Sequence, residues 1–159
     1  MLDLSRPWSP VEVRRDIAAP PDVVFDLLAN PRTYPDWLVG NQKIRSVDPE
    51  FPKPGSRFDH SVGATDEASI DDQSEVLSSD PPNRLELLVK AGPMRGVVTF
   101  LLLPSREGTE VRFQERPVGW MAPLTPFLRP ILHGRNVESL RELAQLVEDT
   151  DGPREEEGS

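Results

Sequence analysis

The 159-residue sequence has no cysteine. Disulfides, thiol nucleophiles and thiolate metal sites are therefore excluded, and the redox compartment cannot be read from cysteine usage. Histidine is nearly absent too. His60 and His133 stand in different segments, with no His-Glu-x-x-His pair and no carboxylate loop of calcium-binding spacing, so no metal is expected. Gly-x-Ser-x-Gly, Gly-x-x-x-x-Gly-Lys and Gly-x-Gly-x-x-Gly are all missing, which removes the common hydrolase, nucleotide and dinucleotide signals and leaves no cofactor expected. Lysine occurs only at positions 43, 53 and 90, and 27 acids against 18 bases give a formal charge of −9. A chain of that balance repels phosphate backbones, which argues against nucleic acid and anionic membrane surfaces as partners. Long apolar runs are lacking as well: residues 97–103 fall far short of the roughly 20 needed for a membrane helix. The opening Met-Leu-Asp-Leu-Ser-Arg-Pro-Trp has no basic segment before an apolar run, so a signal peptide is not expected and the chain reads as cytoplasmic.

What is present is one domain's worth of chain, able to bury roughly 68 to 70% of its unfolded surface. The hydrophobic fraction is 36%, the charged fraction 28% and the mean hydropathy −0.46, so the core must be lean. Arginine-rich basic usage with 18 prolines suits a GC-rich bacterial genome. The acids are unevenly spread, because Glu148, Asp149, Asp151, Glu155, Glu156 and Glu157 face only Arg154 and hold a net −5 at the C-terminus. Composition beyond Glu148 cannot bury enough to offset the entropy of ordering. The expected organisation is an extension over 1–9, a domain over 10–148 and a disordered acidic tail over 149–159.

Residues 11–17 alternate, with Val11, Val13, Arg15 and Ile17 on one side, which predicts an opening strand. Ala18-Ala19-Pro20-Pro21 breaks it, and the following segment places Val24, Leu27 and Leu28 on one helical face, stopped by Asn30-Pro31. A second helical turn is predicted at Tyr34-Pro35-Asp36-Trp37-Leu38. Six strands follow, over 42–48, 57–62, 70–77, 85–90, 95–103 and 108–116, punctuated by Gly, Pro, Asp and Asn in the manner of an antiparallel meander. From Leu124 to Val147 apolar residues recur at helical spacing, which predicts one long helix whose regular part begins near Pro130.

The passage Val13-Arg14-Arg15-Asp16-Ile17-Ala18-Ala19-Pro20-Pro21-Asp22-Val23-Val24-Phe25-Asp26-Leu27-Leu28, followed by Pro35-Asp36-Trp37, resembles the strand-to-helix-pair segment of the START-like, Bet v 1-like helix-grip superfamily (SRPBCC). That superfamily contains the bacterial polyketide cyclase/dehydrase and lipid-transport family. The resemblance covers residues 10–148. It implies an α+β helix-grip fold: a curved seven-stranded antiparallel sheet wrapped around a long C-terminal helix, with two short helices after strand 1 and a ligand cavity between sheet and helix. It carries no catalytic residue over, since one fold hosts many chemistries.

The residues themselves suggest a site. On a helical projection Arg135 and Ser139 fall inside the apolar stripe of the long helix and Asn136 on its flank; Arg135 either pairs with a sheet carboxylate or faces a ligand. Phe58, His60 and Val62 share a strand face, so His60 points inward, as a satisfied core histidine or an acid/base group. Asp72 and Glu115 are carboxylates aligned with apolar strand positions and candidates for Arg135's partner or a pocket base. The acidic run Asp66, Glu67, Asp71, Asp72 and Glu75 reads as a solvated hairpin. Trp37 and Trp120 are placed near the cavity mouth. The expected ligand-binding set is Trp37, Phe58, His60, Trp120, Leu128, Leu132, Arg135, Asn136 and Ser139, with His60, Asp72 and Glu115 as weak catalytic candidates.

Three functions follow. The first is a protein that holds a small, largely hydrophobic molecule, lipid-like or polyketide-like, in a cavity of about 300 to 1,000 Å³ lined by residues 128–143. The second is a metal-free cyclase, aromatase or dehydratase using pocket acid/base groups. The third is a partner-binding module. Monomer and homodimer are equally compatible with the sequence.

Overall fold

A computed structural model describes residues 9–63 and 69–151. The elements are β1 (Val11–Ile17), α1 (Pro21–Leu28), a 3-10 turn (Pro31–Thr33), α2 (Tyr34–Trp37), β2 (Asn41–Val47), β3 (Arg57–Gly63), β4 (Ser69–Asp80), β5 (Arg84–Ala91), β6 (Met94–Pro104), β7 (Thr109–Val118), a second 3-10 segment (Gly119–Leu124) and α3 (Thr125–Asp151). The strands form one antiparallel sheet in the order β1-β7-β6-β5-β4-β3-β2. Strands β2 to β7 run as consecutive hairpins, and β1 closes onto β7 with Val11 opposite Glu115 and Ile17 opposite Thr109. Helix α3 packs against β1, β7 and α2. This is the α+β helix-grip architecture.

The core lies between one face of the sheet and the helices. Ile17, Leu28, Leu85, Phe100, Val111 and Leu140 are fully buried there. A chain of edge-on aromatic contacts joins the short helices to the sheet, from Phe51 to Phe58, Tyr34, Trp37 and Phe100, with Phe113 tilted against Phe100. Such pairs add about 0.5–1.5 kcal/mol each beyond their burial. Tyr34 tolerates this position because its hydroxyl donates to the Leu28 carbonyl, and burial pushes its phenol up so that it stays protonated.

Strands β4 and β7 run on to Asp80 and Val118, past the expected 77 and 116, and both ends of α3 differ from the sequence expectation. Helix α3 starts at Thr125 and passes through Pro130. Thr125 is buried with its hydroxyl donating to the Ala122 carbonyl, Pro126 sits where no intrahelical acceptor exists for an N–H, and Pro130 removes one backbone bond on an exposed face. At the other end α3 continues to Asp151, so residues 149–151 are helical. Residues 1–8 of the expected extension, 152–159 of the expected tail, and Asp66 and Glu67 of the acidic hairpin lie outside the described residues. No helix among the described residues is long and apolar enough to cross a membrane.

The β6–β7 turn is where the first strand and first helix meet the meander. Thr109 donates its hydroxyl to the Ala19 carbonyl, and Gly108, at φ +147°, lies so close that a Cβ would come within 2.6 Å of Ala19 and 2.7 Å of Ile17 backbone atoms. Gly108→Ala is therefore expected to cost on the order of 2 kcal/mol or more, read as a fall in the denaturant midpoint at unchanged m. A variant as stable as the parent would show that the turn can move away from β1.

Candidate ligand cavity

Register places the inner face of the sheet in rows. The first, Leu85, Phe100, Phe113 and Val13, is buried core. The second is Leu87, Val98, Glu115 and Val11; the third is Val89, Gly96 and Pro117; and Ala91 faces Met94 beyond it. Side chains therefore shrink toward one end of β5, β6 and β7. Helix α3 runs over all of these rows, its C-terminal half filling the core with Leu140, Leu143, Ala144 and Val147. Over the outer rows the small residues leave a gap.

That gap is a cavity of about 250 Å³, walled by β5–β7, by Leu128, Leu132, Arg135 and Asn136 of α3, and by Met121 and the Leu38–Gly40 turn. It is slightly smaller than the range expected from sequence. The Arg135–Glu115 pair crosses from helix to sheet and takes up room at the core side.

Glu115 is a carboxylate in an otherwise apolar row, which demands partners. Arg135 Nη2 donates to both of its oxygens, at 2.8 and 2.9 Å, and Asn136 Nδ2 donates to Oε1 at 3.0 Å. Asn136 is buried, and the Arg135 side chain keeps about a third of its exposure, on the cavity side. The other guanidinium nitrogens of Arg135 have no hydrogen bond among the described residues. One turn on, the Ser139 hydroxyl donates to the Arg135 carbonyl and accepts from the Val39 N–H at 3.0 Å, pinning the α2–β2 turn to α3. The cavity is thus largely apolar, with a polar cluster of Glu115, Asn136 and a partly free guanidinium, and Arg95 as its other charged lining residue.

The structure gathers Leu128, Leu132, Arg135, Asn136 and Glu115 on this wall. It places the other residues considered from sequence elsewhere. Trp37 is in the core, its Nε1–H donated to Thr33 Oγ1, and Phe58 packs on Tyr34 in the same aromatic chain. Trp120 sits on the 3-10 segment, exposed, with Nε1–H given to the Pro93 carbonyl. Ser139 is spent on the Val39 bond. Asp72 accepts from the Gln73 and Gly92 N–H groups and so caps the β5–β6 turn. His60 points inward but into the core, with Nε2 bonded to Ser74 Oγ at 2.7 Å and Nδ1 without a partner. Burial pulls its pKa below 6.5, against the opposing pull of the Asp72 carboxylate. Among the described residues no three His, Asp or Glu side chains are grouped to hold a metal ion.

Sequence reasoning overlooked the small residues that make the gap. Val89, Ala91 and Gly96 alternate in two strands around Gly92-Pro93, a signal that becomes readable only once those strands are paired by register.

Fold and cavity together define a helix-grip protein with a largely apolar cavity between sheet and long helix. The chain belongs to the polyketide cyclase / dehydrase and lipid transport family, whose model matches residues 10–148. No curated protein matches it. Among solved structures, a Chromobacterium violaceum protein is similar in fold with a TM-score of 0.72 at 20% identity, covering 87% of this chain and 96% of that one. A Mesorhizobium loti protein is 27% identical, with a TM-score of 0.66, over 89% of this chain and 98% of that one. The di-domain ARO/CYC StfQ of the steffimycin biosynthetic pathway is similar at a TM-score of 0.70 and 14% identity, over 90% of this chain and 51% of StfQ.

Two measurements probe these groups. Arg135→Leu leaves Glu115 with Asn136 alone, so stability is expected to fall by about 1–3 kcal/mol; Arg135→Leu with Glu115→Leu should recover most of that loss. A double variant no better than the single would show that the loss does not come from stranding the Glu115 carboxylate. The second measurement is pH-dependent. Because burial holds folded His60 neutral, the unfolded chain binds the proton first as pH falls through about 6.5, and stability is lost below that point at up to about 1.4 kcal/mol per pH unit. Asp59, held below the usual carboxylate range by hydrogen bonds from Ser46 and Gln73, titrates outside this window. Chemical denaturation at pH 7 and pH 5 should show the loss in the parent and a shallower one in His60→Gln; equal slopes would assign it to other groups.

Proposed function

We propose that this protein holds a small, predominantly apolar molecule between sheet and α3, with the polar group of that molecule received by Arg135 and Asn136. The observation that carries the reading is the cavity's composition: largely apolar walls, with a polar cluster of Glu115, Arg135 and Asn136 that still has donors to give and Arg95 as the other charged lining residue. Wall groups such as Leu132, Val98 and Met121 supply non-directional affinity, and the cluster supplies orientation. At the liquid volume of about 30 Å³ per water, the space equals about eight waters, which suits a compact ligand or one end of a longer one. The family's joint cyclase and lipid-transport character agrees with an apolar guest.

An acid/base enzyme of the cyclase or dehydratase kind is the second reading, favoured by one observation, that Glu115 reaches the cavity. Its carboxylate is already engaged by Arg135 and Asn136, while His60 and Asp72 lie off the wall. Holding a ligand therefore ranks above turning one over.

Octanoate, a short apolar chain with one carboxylate, is a suitable probe. Gly96 faces the cavity, and a Cβ there would meet its neighbours at an ordinary 3.6 Å, so Gly96→Leu should fold and fill the space. Calorimetric titration is expected to show binding weakened about tenfold or more, the loss of at least two buried methylenes. Native mass spectrometry should find a retained small molecule in the parent and not in the variant. Equal octanoate affinity in both proteins would sink the proposal.

A further inference from the structure

The cavity mouth has a surface unlike the rest of the molecule. Phe127 is 75% exposed, Ile131 66% and Trp120 62%, and Met94 and Val39 are exposed beside them. These five come from α3, the second 3-10 segment, the β5–β6 turn and the α2–β2 turn, the elements that frame the opening, and Val39, Met94 and Ile131 also line the cavity itself. The indole N–H of Trp120 is already given to the Pro93 carbonyl, so its ring meets solvent with no polar demand left. A contiguous apolar rim of this kind marks an interaction site.

Charge separates along the same line. Although the chain has 27 acids, residues 87–106 and 116–137, which build most of the mouth, contain none. Arg95 and Arg116 are exposed diagonal neighbours on the outer face of the β6–β7 ladder, opposite Val118 and Val97, and neither has an ion-pair partner among the described residues. Of the carboxylates bordering this region, Glu115 is held by Arg135 and Asn136, Asp72 by the backbone of the β5–β6 turn and Asp71 by the Ser61 hydroxyl, while Asp36 of α2 stands exposed three residues before Val39. The acids at the α3 C-terminus lie about 25 to 35 Å from Phe127 and Ile131 along the helix, where Glu148 is held by the Ala18 N–H. Screening over about 8 Å makes that distant charge irrelevant at the mouth. The net charge of −9, which argued against anionic membranes, thus does not describe segments 87–106 and 116–137, which carry bases only.

We propose that the cavity mouth docks on an anionic lipid surface. Aromatic and aliphatic side chains flanked by unpaired arginines are the combination that settles at a bilayer interface. The apolar rim is continuous with the cavity wall, so a guest can pass from acyl chains to cavity without crossing water. Docking itself needs no guest, and its test is separate from that of ligand holding.

The test is co-sedimentation of the full chain with vesicles of phosphatidylcholine alone and with about 30% phosphatidylglycerol, at low and high salt. Partition is expected with the anionic vesicles at low salt and weakens as salt rises. Arg116→Glu should lower it about fivefold or more and Phe127→Asp about tenfold or more. Neither residue lines the cavity, so melting temperature and octanoate affinity should stay at parental values in both variants, showing that the lost partition comes from the mouth and not from the fold. Absent partition, equal partition of all three proteins, or a lipid-free dimer in sedimentation velocity that Phe127→Asp dissolves would each overturn the assignment, the last giving the face to a second copy of the chain.

Discussion

A carboxylate set in an apolar row of a sheet has to be satisfied from the layer above, and Glu115 is satisfied from α3. Because Arg135 and Asn136 are adjacent, both reach Glu115 only at one rotation of the helix about its axis and one height above β7. That setting has consequences along the whole element. Leu128 and Leu132 turn toward the sheet, Phe127 and Ile131 turn out, and Ser139 arrives where it can take the Val39 N–H. The α2–β2 turn, and with it one side of the cavity, is placed by the same rotation.

The helix is held differently in its two halves. Below Ser139, burial does the work: Leu140, Leu143 and Val147 have almost no exposure and meet core rows filled by large side chains. Above it the facing strands carry Val89, Gly96 and Ala91, which are too small to fill the space to a helix whose height is set elsewhere. A cavity results wherever a rigid element is fixed by neighbours larger than those it passes over. The helix is therefore packed tightly at one end and stands over a cavity at the other.

Most strand limits were legible because Gly, Pro, Asp and Asn punctuate the meander at sites whose backbone needs them, such as Gly92 at φ +62° between β5 and β6. In the sequence Pro130 reads as a helix breaker, whereas the hydroxyl of Thr125, which steadies the first turn of α3, becomes a signal only once Ala122 is beside it. Arg135 was conspicuous as a guanidinium in an apolar stripe, and Glu115 was one of two carboxylates considered for it. Strand alternation tells which face a residue takes, as with Phe58 and His60, but not how far along that face it lies. Depth separates those two core residues from the cavity wall.

The order of elements, the inward or outward sense of each strand position and the presence of polar groups in the apolar stripe of α3 are legible in the chain alone, because these depend on local period and turn chemistry. Which rows of the sheet are small, which carboxylate meets Arg135, and where exposed Trp120, Phe127 and Ile131 stand relative to the opening are set by the tertiary fold. Those are relations between residues far apart in the chain, created by strand register and helix rotation, and no window of sequence contains both sides of them.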